Sequence, residues 1–163
     1  MKKITFFIIS IVFLSFATGC AGYKPIYTTD LQFEIADYSL KTNKKLGRKI
    51  YSKLYNLSKS SEKNSNIRSI NIIIDTTKNK DAAAKDKTGK VLEYKVSLTV
   101  NIIIKDYLTD DEILNKNFAY SSVYTVQNQF SETKKLEDKA VENLINKIHQ
   151  NLLVNMSDVI LTK

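Results

Sequence analysis

The sequence predicts an α+β fold, a two-layer sandwich with the element order β-α-β-β-β-α. Three observations carry that expectation. Leu92, Tyr94, Val96, Leu98, Val100, Ile102 and Ile104 alternate with Glu93, Lys95, Ser97, Thr99, Asn101 and Lys105, the two-residue period of a strand with one apolar and one polar face. At about 3.3 Å per residue this strand is roughly 40 Å long, well above the usual length, and it belongs at the centre of the sheet. A face that stays polar along its length needs no cover, which confines the helices to the other side. Finally, residues 46–57 and 136–153 switch to helical spacing and supply two amphipathic helices.

Leu31, Phe33 and Ile35 alternate with Gln32 and Glu34 and open the domain as its first strand. From Ser39 the period changes. Leu46, Ile50, Leu54 and Leu57 share one helical stripe, Lys44, Lys45, Lys49 and Lys53 lie mostly around the other side, and Ser39 is the candidate N-cap. Gly47 inside this helix costs about 1 kcal/mol relative to Ala, which a close packing contact would explain. Residues 58–66 are small and polar and read as the connection back to the sheet. Ile70, Ile72 and Ile74 mark the second strand; residues 76–90 form a basic connection with a Thr88-Gly89 turn signal, able to extend both flanking strands as a long hairpin. After the long strand, residues 106–112 make a tight acidic turn, and Phe118, Tyr120, Tyr124 and Val126 mark the last strand. Ser131 is the candidate cap of the second helix, with Glu132 in its first turn and Leu136, Ala140, Val141, Leu144, Ile145, Ile148, Leu152 and Leu153 along its stripe. The domain spans residues 31–156, and 157–163 are a tail.

Ahead of the domain lies an address. Lys2 and Lys3 precede an apolar run over residues 4–16, too short to cross a bilayer, and Ala17-Thr18-Gly19 provides small residues before Cys20. Residues 1–19 therefore read as a secretory signal peptide. Ala17-Thr18-Gly19-Cys20 resembles the bacterial lipobox, with Ala17 where Leu is usual. That resemblance implies cleavage before Cys20, a diacylglycerol and an N-acyl chain on Cys20, and, with Ala21 in place of Asp, export to the outer membrane. Cys20 is the sole cysteine, so no disulfide framework is available. Pro25, the only proline, makes residues 20–30 an extended lead.

Removing the signal peptide lowers the formal charge from +8 to +6, since Lys2 and Lys3 leave with it. The basic residues are nearly all lysines, with Arg48 and Arg68 the only arginines. This is not the arginine chemistry of nucleic-acid readers, and export removes such a partner in any case. Outside the cytoplasm the anions at hand are lipid phosphates and acidic sugars. Lys78, Lys80, Lys85, Lys87 and Lys90 in the basic connection are the candidate contacts for lipid phosphates or for the inner wall of a barrel partner, set against a plain solvated hairpin tip. Catalytic candidates are thin. His149, the only histidine, stands without a second metal ligand, and Asp110, Asp111 and Glu112 are consecutive residues of a turn that point in different directions. No metal, cofactor or enzymatic activity is expected.

Cys20-Ala21-Gly22-Tyr23-Lys24-Pro25-Ile26-Tyr27 resembles the start of the lipopolysaccharide-assembly lipoprotein LptE, above all its alphaproteobacterial members, with Ala21 as an insertion. The resemblance implies two helices on one face of a four-stranded mixed sheet over residues 20–155. It also implies a lipid-anchored protein on the periplasmic face of the outer membrane, a plug for the LptD β-barrel that assists its folding and binds lipopolysaccharide. The alternative is another lipid-anchored binding or auxiliary subunit of an envelope transport complex.

Overall fold

The computed structural model describes residues 32–59 and 67–160. Cys20, the signal segment and the extended lead lie outside the described residues. The elements are β1 (Phe33–Thr42), α1 (Lys44–Lys59), β2 (Arg68–Lys85), β3 (Val91–Asp106), β4 (Glu112–Thr125) and α2 (Phe130–Ile160), in the expected order. The sheet order is β1-β2-β3-β4, with β1 parallel to β2 and the other pairs antiparallel. This is a four-stranded mixed sheet. Its inward residues, among them Phe33, Ile70, Ile72, Ile74, Val96, Leu98, Val100, Ile102 and Ile104, form one core with Ile50 and Leu54 of α1 and Ile145, Ile148 and Leu152 of α2. At about 1.5–3 kcal/mol for each fully buried aliphatic side chain, this layer is the main favourable term in the fold.

The first helix starts later than the sequence suggested. Ser39 is not a cap but a strand residue paired with Ile73, and β1 continues to Thr42. A bulge between Ile35 and Asp37 explains the misreading: the extra residue resets the alternation, so Ile35 faces inward with Ile70 and the next inward residues are Tyr38 and Leu40. Thr42 turns the chain with φ 54°, and Asn43 caps α1, its Oδ1 accepting from the Leu46 amide at 3.2 Å. Gly47 does meet a close contact, since an added Cβ would sit 3.3 Å from Leu40 Cδ2.

Ser131 is likewise not a cap, because α2 already begins at Phe130. The entry is held by Thr133, whose buried Oγ1 accepts from the Gln127 amide at 2.8 Å. Glu132 does lie in the first turn, where the helix dipole favours an acid. The helix also outruns its expected end. It continues to Ile160, and Val159 packs against the core, so residues 157–160 belong to the domain and not to a tail.

Residues 76–90 are mostly strand. β2 and β3 form a hairpin closed at residues 86–90, where Asp86 Oδ1 accepts from the Thr88 amide, the Thr88 hydroxyl and the Lys90 amide. Gly89 has φ 86°, a conformation that requires glycine. Both sheet edges are blunted: β1 by its bulge, and β4 by Lys116, which shares the inward parity of Leu114 and Phe118 yet is exposed.

Candidate functional site

Among the described residues, helices cover one face of the sheet and leave the other bare. Across β2, β3 and β4 the register sets Asp75, Asn101 and Asn117 in one row, Thr77, Thr99 and Ala119 in the next, and Asn79, Ser97 and Ser121 in a third. The middle of this face is therefore short, polar and nearly uncharged. Toward the end where β1 begins lies one apolar pair, Ile73 and Ile103, half-buried by their neighbours. Asn101 donates to Asn115 at 3.3 Å, and Asn115 to Glu112 at 3.2 Å. Such a surface offers many donors and acceptors and little net field, which suits a wet contact.

The five lysines expected to act together divide into two groups. Lys78 and Lys80 do not lie at the hairpin tip. Their even parity turns them to the helix side, where both meet Glu137 of α2: Lys78 Nζ donates to Oε1, and Lys80 Nζ to Oε2 at 2.9 Å. The Tyr124 hydroxyl donates to Oε2 at 3.1 Å, Lys134 Nζ lies 3.7 Å from Oε1, and Lys80 Nζ sits 4.2 Å from the Tyr94 ring centroid. Burial pushes the Glu137 carboxyl up, but the hydrogen bonds of Lys78 and Lys80, the charge of Lys78 and the hydrogen bond of Tyr124 outweigh it and bring it down to about 2. Lys80 is raised, first by its hydrogen bond with Tyr124 and then by Glu137. These two lysines are structural. Lys85, Lys87 and Lys90 remain exposed around the turn. Glu137 was missed although its spacing to Ala140, Val141 and Leu144 sets it on the apolar stripe, where a carboxylate requires a buried partner.

The catalytic candidates stay apart. His149 Nε2 is buried with no hydrogen-bond partner among the described residues, and burial, then the charge of Lys53, lowers its pKa below 6.5. Asp106 is held low by the Arg68 guanidinium at 2.8 Å and by the amides of Leu108 and Thr109, while Asp110 pairs with Lys105 at 2.9 Å. Among the described residues no group of three or more acids, histidines or cysteines could hold a metal ion, and no helix is long and apolar enough to cross a membrane.

The bare sheet face and the one-sided helices can be set beside solved structures. The fold is shared with known lipoproteins. An uncharacterized lipoprotein B from Nitrosomonas europaea superposes with a TM-score of 0.58 at 15% identity, over 87% of this chain and 93% of that one. A minor lipoprotein from Acinetobacter baumannii gives 0.52 at 16% identity, over 77% and 94%. No family model and no curated protein matches the sequence. At these identities the likeness concerns the fold.

Proposed function

We propose that this chain is an outer-membrane lipoprotein of the LptE type, which plugs an LptD-like β-barrel and assists the binding and insertion of lipopolysaccharide. The observation that carries the reading is the bare face of the sheet, whose rows of Asn, Ser, Thr and Ala suit the water-filled, polar lumen of a barrel. The fold likeness to lipoproteins supports it from a second direction, and the lipobox-like segment ending at Cys20 supplies the anchor. Two or more acyl chains on Cys20 make anchoring stable where one would be marginal. The role is non-catalytic.

The test is a mild-detergent pull-down of the tagged, full-length protein from its native membrane, with partners identified by mass. A large β-barrel in equal amount, and its loss on charging the face by Thr99→Lys, is the expected result. An inner-membrane transporter as the partner would refute the plug in favour of an auxiliary transport subunit. Release of a Cys20→Ser variant from the membrane fraction checks the anchor separately.

A further inference from the structure

We propose that the outer stripe of α1 is a docking surface for anionic phospholipid headgroups, laying the domain on its side against the membrane that holds its anchor. The described side chains of α1 include Lys44, Lys45, Arg48, Lys49 and Lys53 and no acid. Facing α2 brings Glu142 and Asp138, and neither pairs with Lys44, Lys45 or Arg48. Glu142 takes Lys49 at 3.4 Å and Lys53 at 3.2 Å, and Asp138 takes Lys134 at 2.7 Å. Lys44, Lys45 and Arg48 are exposed and have no acidic partner among the described residues.

Helix stability does not explain this arrangement. Lys44 and Lys45 occupy the first turn, where the macrodipole disfavours cations by about 0.3–1 kcal/mol each, and no acid offsets them there. Aromatic rings continue the stripe. At about 100° per residue, Tyr55 falls within roughly 40° of Lys44 and Arg48 around the helix. Tyr51 stacks between Tyr55 at 5.7 Å and Tyr38 of β1 at 4.0 Å, and Tyr38 is 45% exposed. Cations beside half-exposed tyrosines match the headgroup zone of a bilayer, which is anionic at the phosphates and accepts amphipathic rings.

Chain length agrees with a side-on pose. Thirteen residue steps lead from Cys20 to Phe33, the start of β1, a reach of at most about 45 Å. Tyr38 of that same strand packs on Tyr51 of α1, so β1 runs beside the stripe. The hairpin tip is less accessible to the membrane. It lies roughly 55 Å along β2 from the end that pairs with Phe33, so a domain standing upright on its tip would overreach the tether. The stripe is on the helical side of the domain, and the pose is that of the anchored chain before a barrel encloses it, whereas the barrel reading uses the bare sheet face.

The experiment uses the full mature chain with Cys20→Ser, so that the acyl chains do not dominate, and vesicles of phosphatidylcholine containing about 30% phosphatidylglycerol. Co-sedimentation with these vesicles, and not with phosphatidylcholine alone, is expected, weakening steeply at about 0.5 M salt. Replacing Lys44, Lys45 and Arg48 together by Gln should lower partitioning on the order of a hundredfold, since each basic residue near such a surface is worth about 1 kcal/mol. Replacing Lys85, Lys87 and Lys90 by Gln should lower it less than the α1 variant does, because the tip carries Asp86 among its lysines and no aromatic ring beside them. The chain has no Trp, so Tyr55→Trp in an otherwise intact protein gives a single reporter whose emission should shift to the blue on the anionic vesicles. Equal binding to both vesicle types, an unshifted Tyr55→Trp signal, or a larger loss from the tip variant than from the α1 variant would each overturn the proposal. So would binding to a soluble acidic polysaccharide that vesicles fail to displace, which would indicate a glycan as the occupant.

Discussion

Replacing Glu137 by Gln tests how the hairpin is fastened to the helical layer. The substitution keeps the shape of the side chain and an acceptor oxygen while removing the charge that Lys78, Lys80 and Lys134 surround. The Glu137 carboxyl lies at about 2 in the folded chain against its ordinary 4.5, and a pKa difference of one corresponds to about 1.4 kcal/mol. The depression sets an upper bound of about 3 kcal/mol, and the partial exposure of the lysines brings the expected cost to about 2 kcal/mol. In a domain of this size such a cost lowers the melting temperature by roughly 5–10 °C. The sign follows from a depressed acid: the stabilisation is full above 4.5 and is lost as the pH falls toward 2. Thermal or urea unfolding followed by circular dichroism should therefore show a gap between the native chain and Glu137→Gln at pH 7 that closes on acidification. A gap below about 0.5 kcal/mol at pH 7, or one that does not change with pH, would refute the assignment of Glu137 as an ionised anchor.

Other outcomes follow from single contacts. Asn43→Ala removes the cap of α1 and should cost about 1 kcal/mol in urea unfolding. Gly47→Ala gains up to about 1 kcal/mol of helix propensity against a contact with the mobile end of Leu40 and should be neutral to mildly stabilising, whereas Gly47→Val should destabilise. The His149 imidazole should titrate below 6.5 by NMR because burial, then Lys53, disfavours its charged form; the matching stability is present above 6.5 and declines as the pH falls below it. Reversing Lys85, Lys87 and Lys90 to Glu should weaken lipopolysaccharide binding at low ionic strength, and unchanged binding would mark the tip as merely solvated.

Much of the fold was legible because burial writes its period into the chain. The alternation of residues 92–104 identified β3, its inward face and the side on which helices pack, and the stripe from Leu136 to Leu153 identified most of α2. What failed were the boundaries. The bulge after Ile35 shifts the alternation by one residue, which is invisible without the partner strand that Ile70 and Asn71 provide, so the strand at Ser39 reads as the approach to a helix. At Ser131 a cap-like residue sits one position inside the helix, and the actual tie, Thr133 back to Gln127, has no sequence signature of comparable strength. The basic cluster failed for a different reason. Composition alone groups its lysines, whereas parity sends Lys78 and Lys80 to the opposite face from their odd-numbered neighbours.

That parity also explains where the core stops. Along the inward side of β2 the residues run Ile70, Ile72, Ile74, Thr76, Lys78 and Lys80, from aliphatic through a buried hydroxyl to two ammonium groups. From Ile72 to Lys80 the opposing residues of β3 are Ile104, Ile102, Val100, Leu98 and Val96. One strand thus grows polar while its partner stays apolar, and the lysine stems can cover the apolar partner while their charged heads reach out to Glu137. The ion-paired lysines end the core on the helix side without exposing a greasy sheet face, and the hairpin beyond them carries Lys85, Lys87 and Lys90 on strand ends and a turn held by Asp86. Charges used to fasten the fold and charges left in solvent are therefore separated by only a few residues of the same segment. Mutations on the two sides of that boundary should have different readouts: stability for Lys78 and Lys80, and binding with unchanged stability for Lys85, Lys87 and Lys90.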